Sequence, residues 1–294
     1  MNAKIDFALV GAAKSATTSL FRYLGEHDEI FLPAAKELSY FSEPPSSEAD
    51  ERIEEFYTGV ESGQLVGIAE ANMLMFGSIA GRILDQNPGA RIIAILRNPV
   101  ERAHSGYWFA RNRGWEDATS FENALQRELR VKPTSRYDRV NFTHLEHGHY
   151  AEQLEVYIGA FGARQVKILL TEDLAADPES TMADLFAWLG VASEVGGIGL
   201  REKHNVTTRV RFPRTTSIVG AAAAPLRAVL HHVIPESGRH WIYRRKVAPL
   251  VRLNRAAFVR PPMKPETRAW LRNYYQPHNE ELARLLDRDL SHWR

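Results

Sequence analysis

Phe7-Ala8-Leu9-Val10-Gly11-Ala12-Ala13-Lys14-Ser15-Ala16-Thr17-Thr18-Ser19-Leu20 holds the residue types that seat a phosphate-like anion. An apolar run turns at one glycine, offers a lysine three residues later, and then opens a helix rich in hydroxyls. Backbone N–H groups at a helix start point at the ligand, the helix dipole favours negative charge, and the lysine adds a full cation. The common nucleotide-binding P-loop instead has two glycines with four residues between them and the lysine directly after the second. Here the lysine comes early and Thr17-Thr18 follows. That spacing points away from ordinary kinases and toward another activated anion.

A second segment, Leu96-Arg97-Asn98-Pro99-Val100-Glu101-Arg102-Ala103-His104-Ser105-Gly106-Tyr107, also carries chemistry. A strand delivers Arg97 to a ligand edge and Pro99 starts a helix, with Ser105 nearly two turns along it. An arginine and a hydroxyl converging there make a second anion site with forked hydrogen bonds. A plain salt bridge and a surface serine are the blander reading of that segment alone; the Lys14 loop tips the balance. Arg97 at a strand end would repel a metal. The candidate metal carboxylates are Glu172 and Asp173, and they argue modestly for a metal-dependent small-molecule kinase. A sulfuryl group carries less charge than a phosphoryl group, so lysine and backbone donors suffice without metal.

Strands near Ile5 to Val10, Leu65 to Glu70, Arg91 to Leu96 and Gln165 to Thr171 must position these residues. Helical patterns fall at Thr17 to Leu24, Gly77 to Asn87, Pro99 to Arg111, Phe121 to Arg130, Tyr150 to Phe161 and Glu179 to Leu189. Asn87-Pro88-Gly89 marks a turn, and Asp177-Pro178 a helix start. Such alternation predicts an α/β fold: one domain over residues 1–294, with a central, mostly parallel sheet flanked by helices. Ligands then sit outside the carboxyl ends of the strands, where both anion segments fall. Lys203 to Arg211 reads as irregular, and the tail from Pro265 to Trp293 as one helix packing through Leu282, Leu285, Leu286 and Leu290.

Composition excludes several classes. The 294 residues include no cysteine, so thiolate metal sites, disulfides and a cysteine nucleophile are absent. A net charge of +1 provides no global field for nucleic acid. The first six residues run straight into an apolar strand, leaving no room for a signal peptide, and no apolar stretch approaches a membrane span. A cytoplasmic enzyme is the expectation. One segment departs from this neutrality. Between Pro225 and Arg260 eight cations face one carboxylate, Glu236, within a basic stretch at 216–260 read as an inserted helical segment. Peripheral contact with an anionic membrane would suit it, and a solvated basic face is the plainer reading.

Gly11 to Leu20 resembles the 5′-phosphosulfate loop of sulfotransferases that use 3′-phosphoadenosine 5′-phosphosulfate (PAPS). Arg97, with Asn98-Pro99, Arg102-Ala103 and Ser105, resembles their 3′-phosphate motif. Lys36-Glu37-Leu38-Ser39-Tyr40-Phe41 is similar to a Lys-Glu-x-x-Phe-Phe stretch of the heparan-type and other carbohydrate sulfotransferases, whose bacterial relatives fit best. The ending from Pro261 to Trp293 is also similar, whereas the likeness is weak between Thr216 and Arg260. The resemblance implies a P-loop-like strand–loop–helix for the phosphate. It implies PAPS as co-substrate, adenosine 3′,5′-bisphosphate (PAP) as product, and no metal.

Carried over residue by residue, the resemblance gives Lys14 the charge that builds on the departing phosphate. Ser15, Ala16, Thr17, Thr18 and Ser19 would hold the 5′-phosphate. Arg97 and Ser105 would bind the 3′-phosphate, with Lys203, His204 and Asn205 on a loop over it. Ala16 stands where the family has a glycine, a substitution that suits a helical backbone and not a positive φ. Glu37 would be the general base, in a pocket that excludes water; pairing with Lys36 or Arg22 is its alternative. A histidine base is the other branch's choice, for which His104, His144, His147, His149 and His204 are the candidates. Glu70 would face the acceptor or cap a strand end. Tyr107, Trp108, Phe109 and Trp115 would wall a sugar or adenine, or serve as core. The implied acceptor is a hydroxyl, before an amine, of a glycan, lipid-linked sugar or small natural product. A non-catalytic anion-binding protein is the remaining alternative, and oligomeric state stays open.

Overall fold

The computed structural model describes residues 4–42, 54–196, 198–199 and 259–293, with backbone alone at 208–210 and 255–257. In chain order its main elements are β1 (Phe7–Gly11), α1 (Thr17–Gly25), β2 (Ile30–Phe31), β3 (Leu65–Ala69), α2 (Ser78–Gln86), β4 (Arg91–Leu96) and α3 (Pro99–Asn112). Then follow α4 (Phe121–Arg130), α5 (Arg136–Phe142), α6 (Tyr150–Phe161), β5 (Val166–Leu170), α7 (Thr171–Ala176) and α8 (Pro178–Leu189). Two short strands, β6 (Thr208–Val210) and β7 (Arg255–Ala257), precede α9 (Pro265–Leu286).

Every residue of β1 is buried, as a strand covered on both faces requires. The five-stranded sheet has the order β2-β3-β1-β4-β5, and its pairs are parallel. Phe7 sits opposite Gly67 of β3 on one side and Arg91 of β4 on the other. A Cβ on Gly67 would lie 2.2 Å from the Phe7 ring, which is why a glycine interrupts an otherwise apolar strand.

Side chains alternate across the sheet. Ala8, Val10, Ile92, Ala94 and Leu96 point to one face, where α2, α6 and the end of α9 cover them through residues such as Ile83, Leu154 and Leu282. Phe7, Leu9, Ile93 and Ile95 point to the other, against Leu20 and Leu24 of α1 and Met182, Leu185, Phe186 and Leu189 of α8. The expected α/β arrangement is therefore present. Asp177 accepts from Ser180 N–H at 3.0 Å and Pro178 opens α8, as their order implies.

The chain falls into two compact units. The sheet unit comprises residues 1–106, 143–205 and 263–294. The second comprises 107–142 and 206–262; in it Tyr107 packs on Phe121 with ring centroids 5.5 Å apart. There too the Arg113 guanidinium lies 4.4 Å from the Phe109 ring and 5.0 Å from that of Trp115.

Two expectations need correction. Thr208–Val210 is a strand rather than irregular chain, pairing antiparallel with β7, with Arg209 opposite Ala256. Within the basic 216–260 segment, Arg255–Ala257 is strand, and residues 216–254, on which the expected helical insertion falls, lie outside the described residues. In both strands, ladder hydrogen bonds override weak local propensity. The tail helix stops at Leu286, because Asp287 turns left-handed (φ 48°) and Asp289 accepts from Ser291 N–H to start a separate 3-10 turn.

Candidate active site at the carboxyl edge of the sheet

β1 and β4 are neighbours, and their carboxyl ends carry the two anion segments. Gly11 must be a glycine here, since a Cβ would lie 2.9 Å from that of Leu74 and 3.0 Å from the Ala71 carbonyl oxygen. Ala12 N–H then donates to Ile95 O at 2.8 Å, tying the loop to β4, and Ser15 N–H closes a turn on Ala12 O at 3.1 Å. Lys14 (φ 69°) and Ala16 (φ 60°) are both left-handed. This turns the chain sharply into α1. No side chain caps that helix. Ser19 and Leu20 N–H return to Ala16 O, while those of Thr17 and Thr18 lie in the first turn, ahead of any intrahelical acceptor. Such a start is ready for an anion.

Ser15 is fully buried, and its hydroxyl makes no hydrogen bond in its present orientation, although it stands near enough to Tyr150 to affect that phenol. Burial raises the Tyr150 pKa against the pull of Arg102 and Arg97. Thr18 and Ser19 are half-buried on α1. Ala16 occupies the positive-φ position that suits glycine, the less favourable of its two alternatives.

Arg97 meets the Lys14 loop: its Nη1 donates to Lys14 O at 3.4 Å. The Tyr150 hydroxyl holds the Arg97 carbonyl at 2.9 Å. Asn98 accepts from Val100 N–H at 3.0 Å and Pro99 begins α3, so the Arg-Asn-Pro order is a strand end, a cap and a first helical residue. Ser105 lies roughly 9 Å along that helix, half-buried, with no described bond to Arg97. Arg102 is buried and donates to the His144 carbonyl. Burial pushes the Glu101 carboxyl up, but its partner Arg268, with Arg97 and His104 beyond, outweighs this and holds it below the usual range.

Glu37 reaches the same edge from the neighbouring strand end. Its N–H donates to Ala69 O at 3.0 Å, and its carboxylate accepts from Ala71 N–H at 3.0 and 3.1 Å. Lys36 Nζ lies 2.6 Å from Glu37 Oε1 and donates to Thr17 Oγ1 at 3.1 Å. Lys36 thus bridges the candidate base and the anion loop, a link that sequence reasoning missed although the two residues are adjacent in its motif. Among the described residues no water-excluding pocket surrounds Glu37: its side chain is 43% exposed, although its partner Lys36 is only 15% exposed. Glu70 is buried, accepts from Ser42 Oγ at 2.5 Å and, together with burial, raises the Tyr57 pKa. For Tyr57, burial is the larger cause.

The carboxylates weighed for a metal are engaged elsewhere. Asp173 receives both Arg288 nitrogens at 2.5 and 2.6 Å, and Glu172 accepts from Trp293 Nε1 at 2.9 Å. His104, His144 and His147 are buried, and His149 stacks on His278. Tyr107 is fully buried and packs as core. Trp108 packs edge-on against Tyr107, and Phe109 against Trp115. Lys203, His204 and Asn205 lie outside the described residues.

With this geometry in view, comparison with known proteins is specific. Residues 80–209 match the sulfotransferase domain model. A crystal structure of a sulfotransferase from Alicyclobacillus acidocaldarius superimposes with a TM-score of 0.68 at 27% identity, covering 99% of each chain. The membrane-associated sulfotransferase kil1 of Dictyostelium discoideum is 32% identical over 136 residues, 44% of this chain. The bifunctional heparan sulfate N-deacetylase/N-sulfotransferase 1 of Mus musculus is 23% identical over 300 residues, 95% of this chain. The chain spans 29% of the length of each of these two curated relatives. Among the described residues no helix is long and apolar enough to cross a membrane. Residues 80–209 thus resemble a sulfotransferase domain, and the chain as a whole is similar in fold to the Alicyclobacillus acidocaldarius sulfotransferase.

Proposed function

We propose that the protein moves the sulfuryl group of PAPS to a hydroxyl of a glycan, lipid-linked or small-molecule acceptor. The observation that carries this reading is the contact of Arg97 with the Lys14 carbonyl, which sets two cationic anion seats side by side at an uncapped helix start. One seat suits the 5′-phosphosulfate, held by the residues from Lys14 to Ser19. The other suits the 3′-phosphate, held by Arg97 with Ser105, and Lys203 is assigned to the same phosphate by family resemblance alone.

In the transfer the acceptor oxygen bonds to sulfur as the bond from sulfur to the bridging phosphate oxygen breaks. That electron pair leaves on PAP, where Lys14 offsets the charge. Glu37 takes the acceptor proton, and Glu70 lines the acceptor side. Lys36, joined to both Glu37 and Thr17, holds base and donor loop in one frame. An amine acceptor is the second reading, favoured by the N-sulfotransferase in the name of the mouse relative. The proposal keeps the cytoplasm as location and needs no metal, and the basic residues 225–260 remain the candidate for a membrane-surface contact.

Thermal-shift titration tests the donor site directly. PAP should stabilise the protein in the presence of a chelator, and ATP with Mg²⁺ should do so weakly. Stabilisation by ATP–Mg²⁺ alone would replace this reading with the kinase. PAP binding without sulfation of any acceptor in a broad panel would favour the non-catalytic protein.

A further inference from the structure

Three side chains that the transfer reaction does not use meet where α6 and α9 pack. His149 immediately precedes α6, Glu152 lies in its first turn, and His278 is midway along α9. The two imidazoles stack with centroids 4.0 Å apart and planes 11° apart. His278 Nδ1 lies 3.6 Å from Glu152 Oε1, and one ligand atom from each of the three residues falls within 4.8 Å of the other two. His149 Nε2 lies 3.0 Å from the Tyr274 hydroxyl, which orients that ring.

We propose that His149, Glu152 and His278 form a site for one divalent transition-metal ion of the zinc class, clamping α9 to α6. Two imidazoles and one carboxylate are a donor set that zinc accepts, with a fourth position for water. The Glu152 side chain is 59% exposed, so that fourth position opens to solvent. Bonds of about 2.1 Å to a tetrahedral ion put ligand atoms about 3.4 Å apart, so the cluster closes by up to about 1.4 Å as Glu152 and His278 rotate and the imidazole stack opens. Two imidazoles disfavour magnesium and calcium, which take oxygen ligands.

Protonation does not compete at neutral pH for the buried ring. Burial, then the neighbouring His278 and Arg102, push the His149 imidazole down to about 4. Arg102 also repels a cation, and the Glu152 carboxylate supplies the opposing charge. The site is independent of the sulfuryl-transfer reading, yet it adjoins the donor edge: the next residue, Tyr150, holds the Arg97 carbonyl.

The test is calorimetric titration of chelator-stripped, tag-free full-length protein with zinc chloride, with cobalt chloride as a spectroscopic probe. One zinc should bind per chain, with a rise in thermal midpoint and visible d–d bands for cobalt, and magnesium should do neither. Glu152→Ala, which touches an exposed side chain, and His278→Ala should each weaken zinc binding at least tenfold. Absence of zinc binding would overturn the proposal. So would unchanged affinity in Glu152→Ala, which would place the ion on other histidines.

Discussion

Lys14 carries its charge on a left-handed backbone whose carbonyl is gripped by Arg97, so the two cations belong to one constellation. Lys14→Ala is expected to lower turnover at least about 100-fold in a labelled-donor assay, as for other lost electrostatic groups. Arg97→Ala should raise the Kd for PAP at least about tenfold, since a forked charge-assisted contact is lost; calorimetry measures it. Near-wild-type values for either would remove that residue from the site. Ala16→Gly should stabilise the protein by up to about 1 kcal/mol in denaturant unfolding, because glycine relieves the positive φ while adding freedom to the unfolded chain. Lys14 and Arg97 were legible because their types, spacing and strand-end positions travel with the sequence. The Lys36–Thr17 contact was not. It depends on two segments 19 residues apart meeting in space, and so does the exposure of Glu37.

At the scale of elements, long apolar runs and helical stripes marked nearly every major strand and helix. β2, with two residues, and the three-residue β6 and β7 carry too little pattern to show a period, and only the pairing of distant segments creates them. Gly67→Ala is expected to cost about 1–3 kcal/mol by overpacking against Phe7. Equal stability of that variant would mean that the ring turns aside. The Glu101–Arg268 pair joins α3 to α9. The Glu101 pKa is depressed, so its stabilisation is present above the usual carboxylate value of 4.5 and is lost as pH falls through the lower folded-state value. Arg268→Met should flatten that part of the acid-unfolding curve, by about 1 kcal/mol or less since both groups are partly exposed. A curve as steep as wild type would place the acid sensitivity elsewhere.

For the whole molecule, the order β2-β3-β1-β4-β5 makes β1 and β4 direct neighbours, with the chain leaving them in opposite directions across the sheet. The sequence announced alternating strands and helices but not which strand would lie beside which. That order follows from long-range packing of two apolar faces. Its consequence is metric. The strand ends that launch the two cationic loops stand one inter-strand step apart, about 4.8 Å, and a hydrogen-bonded sheet does not stretch. On the proposed donor-binding reading, the two loops are therefore set against a fixed ruler. Loop mutations can loosen the grip, but the span between the marks belongs to the backbone.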